Sequence, residues 1–193
     1  MALESRVAGS RVSAPLWRQF TWWVLILPLV MLMALAAHSF YLLDYTHVLS
    51  GALWTGADLF LGFILGPVMR RLDPPHRRAV IEFLVPRTLL YMPAVAITTG
   101  TAGWFLATWA GMLFPGNPMR PWVFAALVII TILTIQGIGI ILPNNLRIYR
   151  ELHRASPDLE RIVRLNRINM TLAGIQGLLQ IAIILVMAHL TVG

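Results

Sequence analysis

The sequence predicts an all-α protein, a polytopic membrane bundle of five transmembrane helices, and three observations lead to that fold class. Of its 193 residues, 58% are hydrophobic and only 12% are charged, about half the charge that soluble domains carry. Apolar windows long enough to cross a bilayer recur five times along the chain. Arginines fall almost entirely in alternate connections between these windows. Together these observations indicate an integral membrane protein.

Each predicted span has roughly the 20 mostly apolar residues that a membrane helix requires. In chain order, the five spans cover residues 22–40, 47–69, 88–114, 121–143 and 169–190. The first window begins late and no small-residue cleavage site follows it, so we interpret it as a retained span rather than a signal peptide. No internal repeat or low-complexity segment divides the chain, and we expect a single transmembrane bundle domain over residues 1–193.

The arginines orient the five spans. All fifteen cationic side chains are arginine, and with five spans fourteen of them lie on one side of the membrane, with only Arg120 on the other. Because arginine is enriched in cytoplasmic connections, this places the N-terminus inside and the C-terminus outside. A four-span arrangement would scatter the arginines over both faces, so we expect five spans.

The arginine-rich connections are expected to be ordered. Residues 144–168 are predicted to form a cytoplasmic helical hairpin that extends the fourth and fifth spans, with Ser156 as the N-cap and Pro157 at the first helical position. The stretch RRLDPPHRR, residues 70–78, is predicted to be a turn because consecutive prolines cannot continue a helix.

Composition excludes several functions. The absence of cysteine excludes disulfides, thiolate metal sites and thiol catalysis, and the absence of lysine excludes Schiff-base chemistry. None of the serine-hydrolase, phosphate-loop or zinc-protease motifs of soluble enzymes occurs. The net charge of +7 is attributed to arginine-rich cytoplasmic connections, and no nucleic-acid partner is expected because no nucleic-acid motif is present.

Asp58 is the centre of the second predicted span. An ionised carboxylate at the membrane midplane costs at least about 2.5 kcal/mol, so Asp58 is expected to face the bundle interior. It follows His47 by eleven residues, which puts the two side chains only about 20° out of phase on a helix. Gly62 and Gly66 lie near the same stripe and would let another backbone approach closely.

Other spans carry polar side chains near the depth of Asp58, so a polar network at the midplane is predicted. Its members are Asp58, Thr98, Gln136 and Gln180. Two interpretations stay open at this point: a buried, neutral carboxyl group that joins helices, and a group that relays protons or supports a site.

Three histidines, His38, His47 and His189, are predicted to lie at one depth near the extracytoplasmic face. Neutral imidazole is a good ligand for haem iron and for copper. Two of these histidines on different helices could hold a b-type haem in a pocket walled by aromatic side chains such as Trp54. Thioether side chains that suit Cu(I) lie near the same end: Met112, Met119 and Met187. The alternative for each histidine is an amphipathic role at the lipid–water boundary.

The stretch H-V-L-S-G-A-L-W-T-G resembles two groups of small bacterial membrane proteins. The copper-resistance D (CopD-like) group has a histidine, a tryptophan seven residues later and a glycine two beyond that, and His47, Trp54 and Gly56 match this spacing. HemJ-type protoporphyrinogen oxidases are similar at this helix, with an arginine near its inner end, where this chain has Arg70. The phrase RTLLYMPAVAITTG, residues 87–100, resembles the next helix of the CopD-like group.

The two resemblances imply different activities. Similarity to the HemJ type implies that His47 takes part in haem binding, although those enzymes look dependent on a lysine later in the chain. This sequence has no lysine, which argues against protoporphyrinogen oxidation. Similarity to the CopD-like group implies copper passage across the membrane. Both imply location in a bacterial cytoplasmic (inner) membrane.

Three functional hypotheses follow. The first is a protein that binds haem b near the extracytoplasmic face and takes part in electron transfer, or is the membrane subunit of a redox complex. His47 would be one axial ligand and His189 or His38 the other, and redox partner subunits or quinone are implied because one haem near one face cannot carry an electron across the bilayer. The second is CopD-like copper transport, with the same histidines as metal ligands. The third is a cofactor-free assembly or scaffold subunit. In all three the protein lies in the lipid bilayer.

Overall fold

The computed structural model describes residues 22–192, and every regular element within that range is helical. Residues 1–21, which include three arginines of the predicted cytoplasmic tail, lie outside the described residues. A short 3-10 helix, Trp22–Leu25, leads into five helices. They are α1 (Ile26–Ala36), α2 (Phe40–Arg71), α3 (Pro74–Trp109), α4 (Arg120–Leu152) and α5 (Leu159–Val192).

Four of these helices, α2 to α5, are long and apolar enough to cross a membrane, with 32 to 36 residues in each candidate span. The chain is therefore an all-helical, multi-pass membrane protein. α1 is equally apolar but has only 11 residues, whereas a spanning helix needs about 20. The count of five spans and the orientation of the termini accordingly stay predictions.

The break between α1 and α2 lies earlier in the chain than predicted. The first predicted span, residues 22–40, overlaps two helices: α1 ends at Ala36, and α2 begins at Phe40, the last residue of that span. Ser39 sets this boundary: its Oγ accepts a hydrogen bond from the backbone N–H of Leu42 at 3.3 Å and caps the first turn of α2. The second helix is thus seven residues longer at its start than the predicted span.

The turn between α2 and α3 is shorter than the predicted stretch of residues 70–78. It comprises Leu72 and Asp73, because α3 begins at Pro74. Two consecutive prolines occupy the first two positions of α3, where no backbone N–H is needed. Asp73 caps α3 by accepting a hydrogen bond from the backbone N–H of His76 at 3.3 Å. A side-chain hydrogen bond from His76 lowers the pKa of the Asp73 carboxyl group.

α4 and α5 form a helical hairpin joined by residues 153–158. Asp158, rather than the predicted Ser156, caps α5, since its Oδ1 accepts a hydrogen bond from the backbone N–H of Arg161 at 3.0 Å. Glu151, at the end of α4, is buried and accepts a hydrogen bond from the N–H of Asp158 at 3.3 Å. It also pairs with the Arg161 guanidinium at 3.5 Å, which ties both sides of the hairpin together.

α2 packs against α1, α3 and α5. It crosses α5 where Gly62 meets Gly174 with no side chain between the two backbones, so that a Cβ atom at Gly62 would overlap the backbone of Gly174. The close backbone approach predicted at Gly62 is confirmed. A Cβ atom at Gly66 would lie 3.5 Å from the Cβ of Met170 on α5, which is an ordinary contact distance.

α2 and α4 each contain a π-helical segment that the sequence did not reveal. The segments are Phe60–Leu65 and Gly137–Ile141, and they begin directly after the level of Asp58 and Gln136. A π-helical turn inserts an extra residue into an α-helix and occurs frequently at functional sites. Both segments contribute side chains to the cavity that is described next.

Candidate functional site

A cavity of about 290 Å³ lies between α2, α3, α4 and α5. Its walls are mainly apolar, and Asp58 is the one ionisable side chain among the described residues that line it. On α3, α4 and α5 the lining continues to residues close to the arginine-rich connections; Asn145 and Asn166, for example, each lie near an arginine in the sequence. We call the end of the bundle formed by the α2–α3 and α4–α5 connections the arginine end, and the end that carries His38, His47 and His189 the histidine end.

Asp58 is only 1% exposed, and one of its two carboxyl oxygens has a hydrogen-bond partner among the described residues. Oδ2 accepts a hydrogen bond from the side-chain amide of Gln180 at 2.9 Å. Oδ1 is buried and has no hydrogen-bond partner within residues 22–192. No arginine or histidine of that range forms an ion pair with Asp58. A buried acceptor without a donor is costly, so this oxygen needs a proton or a donor from outside the chain.

Acceptors outnumber donors at this level of the bundle. The Oε1 atom of Gln180 is buried without a partner, although its amide nitrogen bonds Asp58. The Oε1 atom of Gln136, which is not among the residues that line the cavity, also lacks a donor among the described residues. Of these three oxygens, only the Oδ1 atom of Asp58 belongs to a residue that lines the cavity, so it is the unpaired acceptor that a ligand with hydrogen-bond donors or positive charge would meet there.

The predicted polar network is smaller in the structure than in the prediction. Asp58 and Gln180 are brought together across α2 and α5. Thr98 is buried, but its Oγ1 donates to the carbonyl of Ala94 in its own helix at 2.7 Å. A buried threonine hydroxyl in a helix commonly bonds the carbonyl one turn before it, which removes Thr98 from the network.

One face of α5 carries a polar stripe, of which only Gln180 belongs to the predicted network. Its buried polar members are Asn166, Asn169, Gln176 and Gln180. Together with the buried Ala173 between them, these positions are spaced alternately by three and four residues. Gln180 belongs to the predicted polar network, whereas Gln176 and the two asparagines are not among its predicted members. Their spacing was the available signal, because residues three and four apart share a helix face.

The stripe is bonded to α4. The Asn169 amide donates to the Oδ1 of Asn145 at 2.7 Å, and Asn169 Oδ1 accepts from Asn144 at 3.1 Å. One turn further along, the Gln176 amide donates to the carbonyl of Leu133 at 2.9 Å. These bonds hold the wall of the cavity, so the free acceptors at Asp58 lie in a fixed surrounding.

The three histidines have separate neighbours in the structure. Nδ1 of His47 lies 2.9 Å from the carbonyl oxygen of Thr99. The rings of His38 and Trp109 are stacked with centroids 5.7 Å apart, and the ring of His189 contacts Trp122 at 4.1 Å. None of the three lines the cavity.

The expected common depth of the histidines is altered by the early start of α2. His47 lies seven residues into that helix, roughly 10 Å from its first residue. His38 lies in the turn before it, with a φ of 49°. Within residues 22–192 no group of three or more histidine and carboxylate side chains could hold a metal ion. Trp54, the predicted wall of a haem pocket, is buried and lines the cavity beside Asp58.

The chain matches no protein-family model, no curated protein and no solved structure. The resemblance to CopD-like and HemJ-type proteins, which rests on the motif around His47, stays a prediction. The function is therefore argued from the geometry of the site.

Proposed function

We propose that the protein is a membrane carrier whose cavity binds a small organic cation at Asp58. The observation that carries the proposal is the buried Oδ1 of Asp58, which has no donor among the described residues and borders a cavity of about 290 Å³. Ionisable residues inside membrane spans are costly, and they mark the paths of ions and solutes.

The chemistry of the cavity defines the class of solute. Apolar walls favour an apolar body, and a few convergent polar groups fix its orientation. Asp58 is the one ionisable side chain among the described lining residues, and its unpaired Oδ1 is an acceptor, which favours a positively charged group with several N–H donors. A guanidinium or ammonium group with a short alkyl tail has both features, and a carboxylate binds a guanidinium through two parallel hydrogen bonds.

The proposal extends to location and direction. Fourteen arginines on one side of a five-span arrangement would place the arginine end in the cytoplasm of a bacterium, with the protein in the inner membrane. Since the lining of the cavity continues toward the arginine end, the solute would enter or leave on that side.

Butylguanidinium is the probe that tests the proposal, and butylurea is its neutral control of the same shape. Guanidinium stays protonated at any accessible pH, so the cation does not cross lipid by losing a proton. We expect saturable uptake of labelled butylguanidinium by proteoliposomes and little uptake of butylurea. Asp58→Asn should weaken butylguanidinium binding by about 10- to 100-fold, as expected for a hydrogen bond to a charged group.

Two controls separate the site from general charge. Asp44→Asn removes a carboxylate that does not line the cavity and should bind the probe like the unchanged protein. Gly100→Leu should block the cavity without changing Asp58, because a Cβ atom there meets nothing within 4 Å. Gly56→Leu, equally open but outside the cavity lining, is its matched control. Equal binding by Asp58→Asn and the unchanged protein would refute the carrier assignment.

A haem-binding protein in electron transfer is the second candidate, and the setting of His47 favours it. Its Nδ1 is held by the Thr99 carbonyl, which leaves Nε2 as the ligand atom. Metal-binding histidines typically bond a carbonyl with the other ring nitrogen. The described residues provide one axial histidine for a haem, His47. The rings of His38 and His189 contact Trp109 and Trp122, and they do not share a space with His47. A haem would supply one-electron transfer, with quinone or partner subunits as the implied exchange partners.

Absorption spectra of the purified protein, oxidised and then reduced by dithionite, test this second candidate. A haem band that is lost in His47→Ala supports it, and a colourless protein after haem-replete expression excludes it. Metal analysis of the same sample tests copper transport: co-purified copper that is lost in His47→Ala would support the CopD-like alternative.

A further inference from the structure

A second, smaller pocket lies at the arginine end, between α2, α3 and α5. It has a volume of about 20 Å³, and three arginines and one asparagine supply its polar lining: Arg70, Arg77, Arg167 and Asn166. Asn166 and Met170 also line the large cavity, so the two spaces share part of a wall. The small pocket is not used by the carrier proposal.

The three arginines are not neutralised within residues 22–192. Three carboxylates of the same end are paired with other side chains: Glu82 with Arg78, Glu151 with Arg154 and Arg161, and Asp73 with His76. None of these ion pairs includes Arg70, Arg77 or Arg167. Three guanidinium groups from three helices therefore surround one small space without a counterion from the described chain.

The pocket also contains donors without acceptors. The Arg77 guanidinium is held by the carbonyls of Arg70 and Leu72, which accept hydrogen bonds from its Nη2 at 3.3 Å and 2.8 Å. Its Nε is buried and has no acceptor within the described range. Asn166 is 3% exposed, and its side chain makes no hydrogen bond to residues 22–192. A buried, unpartnered amide beside three guanidinium groups, one of which has a buried N–H without an acceptor, indicates a missing anionic acceptor.

We propose that this pocket binds the phosphate group of an anionic phospholipid. Arginine clusters recognise phosphate through paired N–H donors, and basic pockets between membrane helices on the cytoplasmic side bind anionic headgroups. About 20 Å³ is room for roughly one water-sized group, so one phosphate oxygen enters while the exposed Arg70 and Arg167 side chains contact the rest.

A lipid is favoured over a soluble phosphate ester by the surface beside the pocket. Phe63 lies about two turns before Arg70 and is 53% exposed, and Leu178 lies about three turns after Arg167 and is 55% exposed. These apolar side chains lie on α2 and α5, where an acyl chain would run along the helices from a headgroup held by the arginines. A free phosphate would gain nothing from them.

The test compares short-chain lipids on the detergent-purified full chain by native mass spectrometry. Dihexanoyl-phosphatidylglycerol should bind about tenfold more tightly than dihexanoyl-phosphatidylcholine. Arg70→Gln/Arg167→Gln should lower the affinity for phosphatidylglycerol by about tenfold or more. Arg150→Gln/Arg164→Gln removes the same charge from exposed positions of the same end, outside the pocket, and should change that affinity less than about twofold.

Asn166→Asp provides a variant that keeps all three arginines. A carboxylate at this position would satisfy the guanidinium groups and should abolish phosphatidylglycerol binding while raising the Tm of the lipid-free protein. Equal loss in both arginine double variants would overturn the proposal, because it would indicate general attraction to positive charge. Equal affinity for glycerol 3-phosphate and phosphatidylglycerol would overturn the lipid assignment in favour of a soluble phosphate ester. Both results are independent of butylguanidinium binding at Asp58.

Discussion

The polar side chains at the two ends of the bundle differ in how completely they are hydrogen-bonded. Toward the histidine end, small polar groups satisfy one another: Ser50 donates to the carbonyl of Thr46 at 2.7 Å and accepts from the hydroxyl of Thr99 at 2.9 Å. The His47 ring bonds the backbone of α3 in the same region. From the midplane to the arginine end, by contrast, side-chain atoms of Asp58 and Arg77 are buried without partners within residues 22–192.

This difference distinguishes polar groups that join helices from polar groups that can bind a ligand. Buried polar groups are normally paired, so an unpaired one needs a specific explanation. The polar groups of α2 and α3 near His47 bond one another and close the contact between the two helices. The unpaired groups at the midplane and the arginine end instead border cavities, and they differ in kind: acceptors without donors at Asp58, and donors without acceptors around Arg77. The first set suits a cation and the second an anion.

The largest expected effect comes from Gly62→Ala, which breaks the frame that holds both regions. A methyl group at this position would overlap the backbone of Gly174, and a backbone cannot rotate away as a side chain can. We expect a loss of about 3 kcal/mol or more of folding free energy, measured as a lower Tm in detergent. Gly56→Ala, in the same helix with nothing within 4 Å of the new Cβ atom, is the control. Similar Tm values for the two variants would contradict the backbone contact.

Much of the fold could be predicted from the sequence, because the signals are local. Apolar length predicts α2 to α5, and Gly62 predicts the close approach of two backbones. The break before α2 depends on a single cap, Ser39, inside an otherwise apolar stretch, and hydropathy alone does not detect it. The π-helical segments depend on tertiary packing and have no sequence signature of their own.

Only part of the candidate site could be predicted from the sequence. Asp58 stands out because a carboxylate in an apolar stretch is costly, and Gln180 lies at a matching depth. Which of its neighbours would bond it depends on helix rotation, and the sequence does not supply that angle for Thr98 or Gln136. The pairing of Asn169 with Asn145 joins positions 24 residues apart in sequence, so only the packed hairpin reveals it.

The second prediction tests whether Asp58 is a binding group or an ordinary helix contact. Gln180→Leu removes the amide that donates to Asp58 across the α2–α5 contact and should cost about 1–3 kcal/mol. The double variant Asp58→Leu/Gln180→Leu should regain most of this loss, because replacing both partners by apolar groups is nearly neutral. Unfolding in detergent gives the four values of the double-mutant cycle. If the double variant is as unstable as the sum of both single variants, Asp58 has partners beyond Gln180.

The third prediction sharpens the description of the histidine end as a packed contact. A Cβ atom at Gly103 would lie 2.7 Å from Cε1 of His47, so Gly103→Ala should displace the ring from the Thr99 carbonyl. We expect a loss of about 1 kcal/mol, the net value of one hydrogen bond. Gly100→Ala, on the same helix with open space around its Cβ, should leave the Tm unchanged within error. An unchanged Tm for Gly103→Ala as well would mean that the ring bond contributes nothing to stability.

The smallest expected effect concerns the turn at the arginine end, where the exposed side chain of Asp73 caps α3. A side-chain hydrogen bond from His76 lowers the pKa of Asp73, so the folded protein holds this carboxylate ionised more readily than the unfolded chain does. Stability from the cap is therefore complete above the unfolded-state pKa of about 3.9 and is lost as the pH falls through the lower folded-state pKa. Tm measured from pH 6 to pH 3 should fall slightly more steeply for the unchanged protein than for Asp73→Asn, whose side-chain oxygen still accepts the N–H of His76 but does not titrate. Parallel curves would show that the cap bond is independent of the charge on Asp73.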